Sequence, residues 1–380
     1  MIAHRLRDAA VDALARLPVW SVEPAQGEIL LIRPDHLGDV LFLTPALHRL
    51  RRALPDAHLT LAIGPWARPA VAENPDIDEI LEFPFPGFTR ATTVRMAPYW
   101  GLAEFIRMVR ARRPAAAVVL RDDHWWAALA VRRAGVPVRL GSTHPSVRHM
   151  LTNGVALDGH AVEQNGAMLN VAASLLGGQA LEPGLDPVAD PLRWWGSTGA
   201  GEVARVVLAD SGVDRPYLVL APGAGAPVKR WPARYWAEVV SRLAGERDVA
   251  VVVVGSNDER PLAESVAAAM ALPIVDLTGR TDFATLGAVL GRADIVLGVD
   301  SGPLHLATAV GARTVRLYGP SSIERYGPWG DPRRNRVLSA GMRCSQCGDL
   351  SLDRPEGAGC MLAIGVDEVL AAAREVLEDA

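Results

Sequence analysis

Three segments of this chain carry side chains that could move a proton or hold an anion, and each lies close to a glycine. Their reactive side chains are Asp39, Lys229, Asp300 and His305. A carboxylate can act as a general base, and lysine, imidazole and the backbone N–H groups at a helix start can bind phosphate. The combination predicts chemistry that activates a hydroxyl group and binds an anion.

The segment Asp300–His305 predicts an anion site at the end of a buried strand. An apolar run over 294–299 precedes it, and Ser301 and Gly302 form the predicted turn into a helix. In open α/β sheets, ligands bind at the carboxyl ends of the strands. Helix capping by Asp300 and a core position for His305 are the simpler alternatives.

A glycine-rich turn after the apolar run 217–221 predicts a phosphate-binding loop. Gly223 lets the backbone approach a phosphate closely, and Lys229 supplies a positive charge, unless it is an ordinary solvated lysine. The turn fits neither the G-x-G-x-x-G nor the Walker A pattern. A nicotinamide dehydrogenase is therefore disfavoured.

The first predicted strand, 29–33, is followed by a loop that carries Asp39. A loop on a rigid scaffold is a common place for an active-site residue, and Asp39 could act there as a general base. Capping of the next helix is the alternative. Thr44, which stands before a proline, is available for that role and leaves Asp39 for function.

A second pair of acids follows the apolar run 249–254. Asp258 or Glu259 could accept hydrogen bonds from ribose hydroxyl groups, as acids do after Rossmann strands. Capping of the next helix by Ser256 or Asn257 is an equally good interpretation.

Strand and helix signals alternate along most of the chain, which predicts parallel sheets of the α/β class. Five predicted strands of the second half end in small or polar residues at one edge of their sheet: Gly223, Gly255, Gly279, Asp300 and Gly319. The predicted domains are an amphipathic segment 1–27, a Rossmann-like domain 28–185, a linker 186–210, a second Rossmann-like domain 211–345, and a cysteine-containing loop with a helix at 346–380. We expect a cleft between the two Rossmann-like domains.

Composition excludes few functions. The chain has 380 residues and a formal net charge of -4, which gives no support for binding nucleic acid. No apolar run reaches the roughly 20 residues of a spanning helix, and the N-terminus lacks a signal-peptide core, so we expect a cytoplasmic protein. Arginines cluster in the first half; they are either solvated helix faces or a surface for an anionic acceptor or a membrane.

Three cysteines, Cys344, Cys347 and Cys360, form an incomplete zinc pattern. One nearby acid (Asp349, Asp353 or Glu356) could complete it as a structural zinc site. A reduced surface loop without metal is the alternative.

Together the motifs resemble glycosyltransferase family 9, the lipopolysaccharide heptosyltransferases and their relatives, from about Glu28 to Leu377. The most specific parts are Arg33-Pro-Asp-His-Leu-Gly-Asp-Val, Lys229-Arg-Trp-Pro and Asp300-Ser-Gly-Pro-Leu-His-Leu-Ala. The resemblance implies the GT-B fold, in which two Rossmann-like domains face each other across a cleft. It implies that the first domain binds the acceptor and the second binds a nucleotide sugar, typically ADP-heptose.

The resemblance also implies roles for matching residues. Asp39 would be the catalytic base of an inverting displacement that requires no metal cofactor. The donor would be bound by Gly223, Lys229, Asp258, Glu259, Asp300, Ser301, Gly302 and His305. Apart from this carry-over, we expect the acceptor, a glycolipid or another glycan, to be bound by Arg33, His36 and Arg121, with peripheral association at the inner membrane. This chain differs from well-known members in having Ala224 and Gly225, where those carry hydroxyl residues before the lysine.

Two other functions remain open from the residues alone. A sugar-nucleotide epimerase has the same two-domain architecture, and it would need further acid–base groups in the cleft. A non-catalytic protein that binds nucleotide sugars would not need Asp39.

Overall fold

Short apolar runs form the strands of two parallel sheets, one in each of two units of the chain. The computed structural model describes residues 11, 13–19, 23, 27–88, 97–179, 184–342, 344 and 357–378, with only the backbone of 97–99. The units are Met1–Leu185, here called unit 1, and Asp186–Ala380, here called unit 2. The predicted α/β class is confirmed.

The sheet of unit 1 has six parallel strands in the order β3-β2-β1-β4-β5-β6. These strands are β1 (Glu28–Arg33), β2 (His58–Ile63), β3 (Glu79–Glu82), β4 (Ala116–Val119), β5 (Val138–Ser142) and β6 (Asn153–Val155). The α-helices are α1 (Leu37–Leu41), α2 (Thr44–Ala53), α3 (Ala97–Arg112), α4 (Trp125–Ala134) and α5 (Ala161–Leu175). Two 3-10 helices are Pro65–Ala70 and Arg148–Met150. The central strands read as unbroken apolar runs because helices cover both faces of a parallel sheet.

The sheet of unit 2 repeats this pattern in the order β12-β11-β10-β7-β8-β9. Its strands, all parallel, are β7 (Tyr217–Ala221), β8 (Ala250–Val253), β9 (Val275–Asp276), β10 (Val296–Val299), β11 (Thr314–Leu317) and β12 (Asn335–Leu338). The α-helices are α6 (Ala200–Asp210), α7 (Ala233–Arg247), α8 (Arg260–Ala269), α9 (Phe283–Gly291), α10 (Gly302–Ala309), α11 (Ile323–Tyr326), α12 (Gly359–Leu362) and α13 (Val366–Glu378). The segments Pro227–Lys229 and Asn257–Glu259 are 3-10 helices.

Each sheet has one point where the direction of strand addition reverses. In unit 1 it lies between β1 and β4, and in unit 2 between β7 and β10. At such a switch point the loops after the two strands diverge and leave a crevice for a ligand. The loop after β7 carries Lys229, and β10 runs directly into Asp300.

The structure differs from the sequence-based expectations in several details. The end of the predicted linker forms helix α6. This helix was not predicted because the glycines at its start are typical of a loop. Strands β6 and β12 were not predicted, because Asn153–Val155 is short and β12 is a half-exposed edge strand. Asp39 lies in the first turn of the short helix α1 rather than in a loop. Thr44 does not cap α2; its hydroxyl group donates to the Leu41 carbonyl at 2.8 Å.

Gly298 of β10 sits where no side chain fits. A Cβ atom at Gly298 would lie 2.5 Å from the Ala221 carbonyl oxygen and 2.5 Å from a Leu304 methyl group. We predict that Gly298→Ala lowers the free energy of urea unfolding by about 1–3 kcal/mol, because β10 must move away from β7. Gly245→Ala is the control: its Cβ meets no atom within 4 Å on α7, and it should stabilise by about 0.5–1 kcal/mol. Equal effects of both changes would contradict the packing argument.

Candidate functional site

A buried ion pair bridges the switch point of unit 2. Lys229 Nζ lies 2.8 Å from Asp300 Oδ2, and their side chains are only 15% and 7% exposed. Lys229 ends the 3-10 turn after β7, and Asp300 follows β10, so neighbouring strands bring the two residues together. The predicted Lys229 and Asp300 motifs therefore belong to one cluster.

His305 completes this cluster on the other oxygen of Asp300. Its Nε2 atom lies 3.3 Å from Asp300 Oδ1. The first turn of α10 carries His305 back beneath the carboxylate, which explains the spacing of five residues. Burial would raise the pKa of Asp300, but the hydrogen bond with His305 and the charge of Lys229 outweigh it, so that pKa lies well below its ordinary value.

Arg316, which the sequence analysis did not select, lies behind His305. It points inward from β11, is fully buried, and places Nη1 3.3 Å from His305 Nδ1. An arginine within an apolar strand is the signal that could have identified it. The chain of contacts therefore runs from Lys229 through Asp300 and His305 to Arg316.

The start of α10 lies next to Asp300. Ser301 is its N-cap residue, and the buried Ser301 hydroxyl has no hydrogen-bond partner within the part of the chain that the structure describes. A Cβ on Gly302 would meet no atom of the described residues within 4 Å, so these residues leave the space beside the first helical N–H groups open. Ser321, after β11, has a second buried hydroxyl that has no hydrogen-bond partner in the described ranges. These groups could donate hydrogen bonds to a phosphate.

Of the two acids after β8, only Glu259 lies against the glycine-rich turn. Its carboxylate occupies the place where a Cβ of Gly223 would be, and it lies beside Gly255 as well. Glu259 Oε2 accepts from the Ser256 N–H at 2.7 Å and the Ser256 hydroxyl at 3.0 Å, which forms a capping box. Glu259 therefore takes part in the capping box and also lies at the edge of the sheet where a ligand is expected. Asp258 is exposed.

The switch point of unit 1 carries a different charge arrangement. Asp35, after β1, is paired with Arg33 Nε at 2.8 Å and with the Arg121 guanidinium that follows β4. Arg121 Nε also lies 2.7 Å from Asp123. Two arginines and two aspartates balance, so this cluster carries no net charge. Arg33 is buried and donates to the Leu120 carbonyl at 2.8 Å and to Asn165.

Aromatic rings surround His36 at the same edge of the sheet. The His36 ring lies 6.2 Å from that of Trp66 and 6.5 Å from that of Phe88. Arg121 stacks over Phe88, with its guanidinium carbon 5.1 Å from the ring centroid. Asp39 is half-buried in the first turn of α1, three residues after His36.

Residues 103–351 match the family model of glycosyltransferase family 9 (heptosyltransferase), which is well over half of the chain. The chain belongs to glycosyltransferase family 9. It is 27% identical over 301 residues to lipopolysaccharide heptosyltransferase 3 of Escherichia coli, which covers 77% of this chain and 83% of the relative. The predicted family and the predicted enzyme class, glycosyltransferase, are confirmed.

Two solved structures show the fold of this family 9 glycosyltransferase. A glycosyl transferase family 9 structure from Veillonella parvula matches with a TM-score of 0.78 and 24% identity over 95% of this chain and 100% of that one. The E. coli ADP-heptose lps heptosyltransferase II matches with a TM-score of 0.69 and 22% identity over 93% and 100%. The predicted GT-B fold class is confirmed by these likenesses.

The cysteine segment of the glycosyltransferase packs beneath the Lys229 turn. Cys360 and Ala358 lie in one apolar cluster with Val228, and the Ala358 N–H donates to the Val228 carbonyl at 2.9 Å. Cys344 Sγ lies 3.5 Å from Cys360 Sγ. Cys347 and the acids proposed to complete a zinc site lie outside the described residues, so zinc binding stays a prediction. Among the described residues, no group of three or more candidate ligands could hold a metal ion.

Most arginines of the clusters in the first half of the chain contact other residues of unit 1. Arg51 pairs with Asp78, and Arg112 pairs with Glu28 and Glu79. These side chains form ion pairs within unit 1, as Arg33 and Arg121 also do, and acceptor binding by Arg33, His36 and Arg121 stays a prediction. In the described part of the chain, no helix is both long and apolar enough to cross a membrane.

His124 of the glycosyltransferase is a buried imidazole whose two ring nitrogens have no hydrogen-bond partner among the described residues. It packs among Phe85, Phe88 and Trp126. Burial lowers the pKa of His124 to about 4 from 6.5, although Asp35 opposes this shift. The folded chain therefore binds this proton only at a pH near 4, whereas the unfolded chain binds it near 6.5.

We predict that His124→Phe removes a loss of stability on acidification. As the pH falls from 6.5 towards 4, the unfolded wild-type chain gains the proton first, so folding becomes less favourable. Between pH 7 and pH 5, the wild type should lose about 2 kcal/mol more unfolding free energy than the variant in urea titrations. Parallel pH dependence of the two proteins would show that His124 does not titrate in this way.

Proposed function

We propose that this enzyme transfers heptose, with inversion, from ADP-heptose to a hydroxyl group of a lipopolysaccharide-core sugar. The observation that carries the proposal is the Lys229–Asp300–His305 cluster beside the open start of α10. Heptosyl transfer to lipopolysaccharide is the activity named for the curated relative, and ADP-heptose is named for the E. coli structure of similar fold.

The donor diphosphate would bind at the start of α10. Helix N–H groups, the Ser301 hydroxyl and Lys229 offer hydrogen bonds and positive charge to the two phosphates. Lys229 is paired with Asp300 before the donor binds, and this pair holds the ammonium group at the switch point. Negative charge grows on the diphosphate as the sugar leaves, and groups already in place stabilise it without reorganisation.

Glu259 would bind the ribose of the nucleotide. Two glycines, Gly223 and Gly255, give its carboxylate room at the edge of the sheet. The capping bonds from Ser256 engage only Oε2. Oε1 is therefore available to accept from a ribose hydroxyl, a role that the exposed Asp258 is less well placed to fill.

Asp39 would remove the proton from the acceptor hydroxyl as that oxygen attacks the anomeric carbon. The rings of His36, Trp66 and Phe88 offer apolar faces on which a sugar can stack. The balanced charges of Arg33, Asp35, Arg121 and Asp123 suit a neutral sugar next to these rings. We assign acceptor binding to unit 1 and donor binding to unit 2, and we propose that the enzyme acts at the inner face of the membrane that holds the acceptor.

Asp39→Asn tests the chemical step. The amide keeps the size of the side chain but cannot accept the proton, so heptosyl transfer from ADP-heptose should fall by at least about 100-fold. Affinity for ADP, measured by calorimetry, should stay within about twofold, because unit 2 would bind the nucleotide.

Asp56→Asn, at an exposed position after α2, is the matched control and should keep full transfer activity. Full activity of the Asp39 variant would remove Asp39 from the mechanism. Formation of an epimerised sugar nucleotide in the absence of acceptor would instead favour an epimerase.

Glu259→Gln tests ribose recognition. Glutamine can still close the capping box, so the fold should be kept, while loss of the charged acceptor should weaken ADP binding by about tenfold. Asp258→Asn, one residue earlier, should bind ADP like the wild type. Calorimetry of the wild type with GDP, UDP and dTDP tests which nucleobase the site prefers. If any of these nucleotides binds more tightly than ADP does, ADP-heptose is contradicted as the donor.

A further inference from the structure

Arg316 is a buried cation without an anionic partner in the described part of the chain. Its Nη2 atom donates to the Leu304 carbonyl at 2.7 Å and to the hydroxyl groups of Thr308 at 2.5 Å and Thr314 at 3.4 Å. Its Nη1 atom contacts His305. All these partners are neutral, and a guanidinium does not lose its proton in a protein. A full positive charge therefore lies behind His305.

The contact with Arg316 determines where His305 carries its proton. Guanidinium nitrogens only donate, so His305 Nδ1 must accept the hydrogen bond at 3.3 Å. A neutral imidazole that accepts at Nδ1 is protonated at Nε2. Nε2 faces Asp300 Oδ1 at 3.3 Å, and the ring therefore donates to the carboxylate.

We propose that Arg316 is a positioning residue of the donor site, which fixes His305 as the neutral Nε2–H tautomer and thereby orients Asp300 and Lys229. A ring with its proton on Nδ1 would point an N–H group at the guanidinium and a lone pair at the carboxylate. The ring would then be repelled both by the guanidinium of Arg316 and by the carboxylate of Asp300. The proposal rests on the proposed function only in assigning this cluster to a nucleoside diphosphate.

Arg316 also gives the cluster its net charge. Lys229 and Asp300 cancel, and His305 is neutral, so the charge of Arg316 remains to attract an anion. Burial lowers the pKa of His305, the hydrogen bond to Asp300 raises it, and the charges of Arg316 and Lys229 lower it further. Without Arg316, His305 should take up a proton at higher pH, and the cluster should then gain its positive charge only on acidification.

Nitrogen NMR of the full chain labelled with 15N-histidine tests the tautomer directly. The His305 signals are identified by their loss in His305→Asn. In the wild type near pH 7 we expect a proton on Nε2 alone. In Arg316→Met we expect a mixture of tautomers and a cationic ring at higher pH than in the wild type, and Arg316→Lys, which still only donates, should restore the Nε2–H form.

Calorimetry with ADP tests whether the positive charge of Arg316 contributes to nucleotide binding. Arg316→Met should weaken ADP binding at pH 8 by roughly ten- to thirtyfold and should recover part of the affinity as the pH falls. Arg316→Lys should stay closer to the wild type. If Arg316→Met keeps the wild-type tautomer and the wild-type pH dependence of ADP binding, Arg316 only fills the core and the proposal is overturned.

His305 offers a second test that leaves Arg316 in place. Glutamine can accept from Arg316 with its oxygen and donate to Asp300 with its amide, as the proposed tautomer does. His305→Gln should therefore bind ADP within about threefold of the wild type, and His305→Leu should bind at least about tenfold more weakly. Equal losses in the two variants would overturn the proposal even if Arg316→Met does not fold. Failure of the wild type to bind ADP would instead contradict the proposed function, and the NMR result would still decide the tautomer.

Discussion

The ion pair between Lys229 and Asp300 is the interaction on which the arrangement of the candidate site in unit 2 depends. The two residues come from different loops, and they meet because β7 and β10 are neighbours although many residues separate them in the chain. A buried pair is weak as a source of stability, since desolvation cancels most of its attraction. Its value lies in holding a lysine at one place beside a helix start.

The two units have the same strand order but different charge arrangements at the switch point. In unit 2 the cluster that ends at Arg316 carries an excess positive charge. In unit 1 the corresponding edge balances Arg33 and Arg121 against Asp35 and Asp123, with aromatic rings next to them. One architecture therefore provides one site suited to a diphosphate and another suited to a largely uncharged sugar, which agrees with the proposed transfer.

Structural features that leave a pattern in a short stretch of sequence could be predicted from the sequence alone. Buried parallel strands read as apolar runs, so β7 could be predicted at its observed bounds, Tyr217–Ala221. The Asp300 segment was recognisable because turn, helix start and polar side chains follow one another. Arg316 stands out as an arginine within an apolar strand, but the roles of Arg316 and His124 could not be predicted, since they depend on which strands and rings become their neighbours. The helical position of Asp39 escaped prediction because α1 is only five residues long.

Contacts of Ala358, Cys360 and Ile364 with the Lys229 turn determine when that turn can fold during synthesis of the protein. The turn that carries Lys229 is supported from below by Ala358 and Cys360, and the Trp231 indole donates to the Ile364 carbonyl at 3.3 Å. Chains emerge from the ribosome from the N-terminus onwards, and domains fold as their parts become available. Unit 1 can therefore fold while unit 2 is still being made, but the Lys229 turn gains its support only after Ala358, Cys360 and Ile364 have been translated. A nascent chain therefore completes the packing around the Lys229 turn later than the sheet of unit 1.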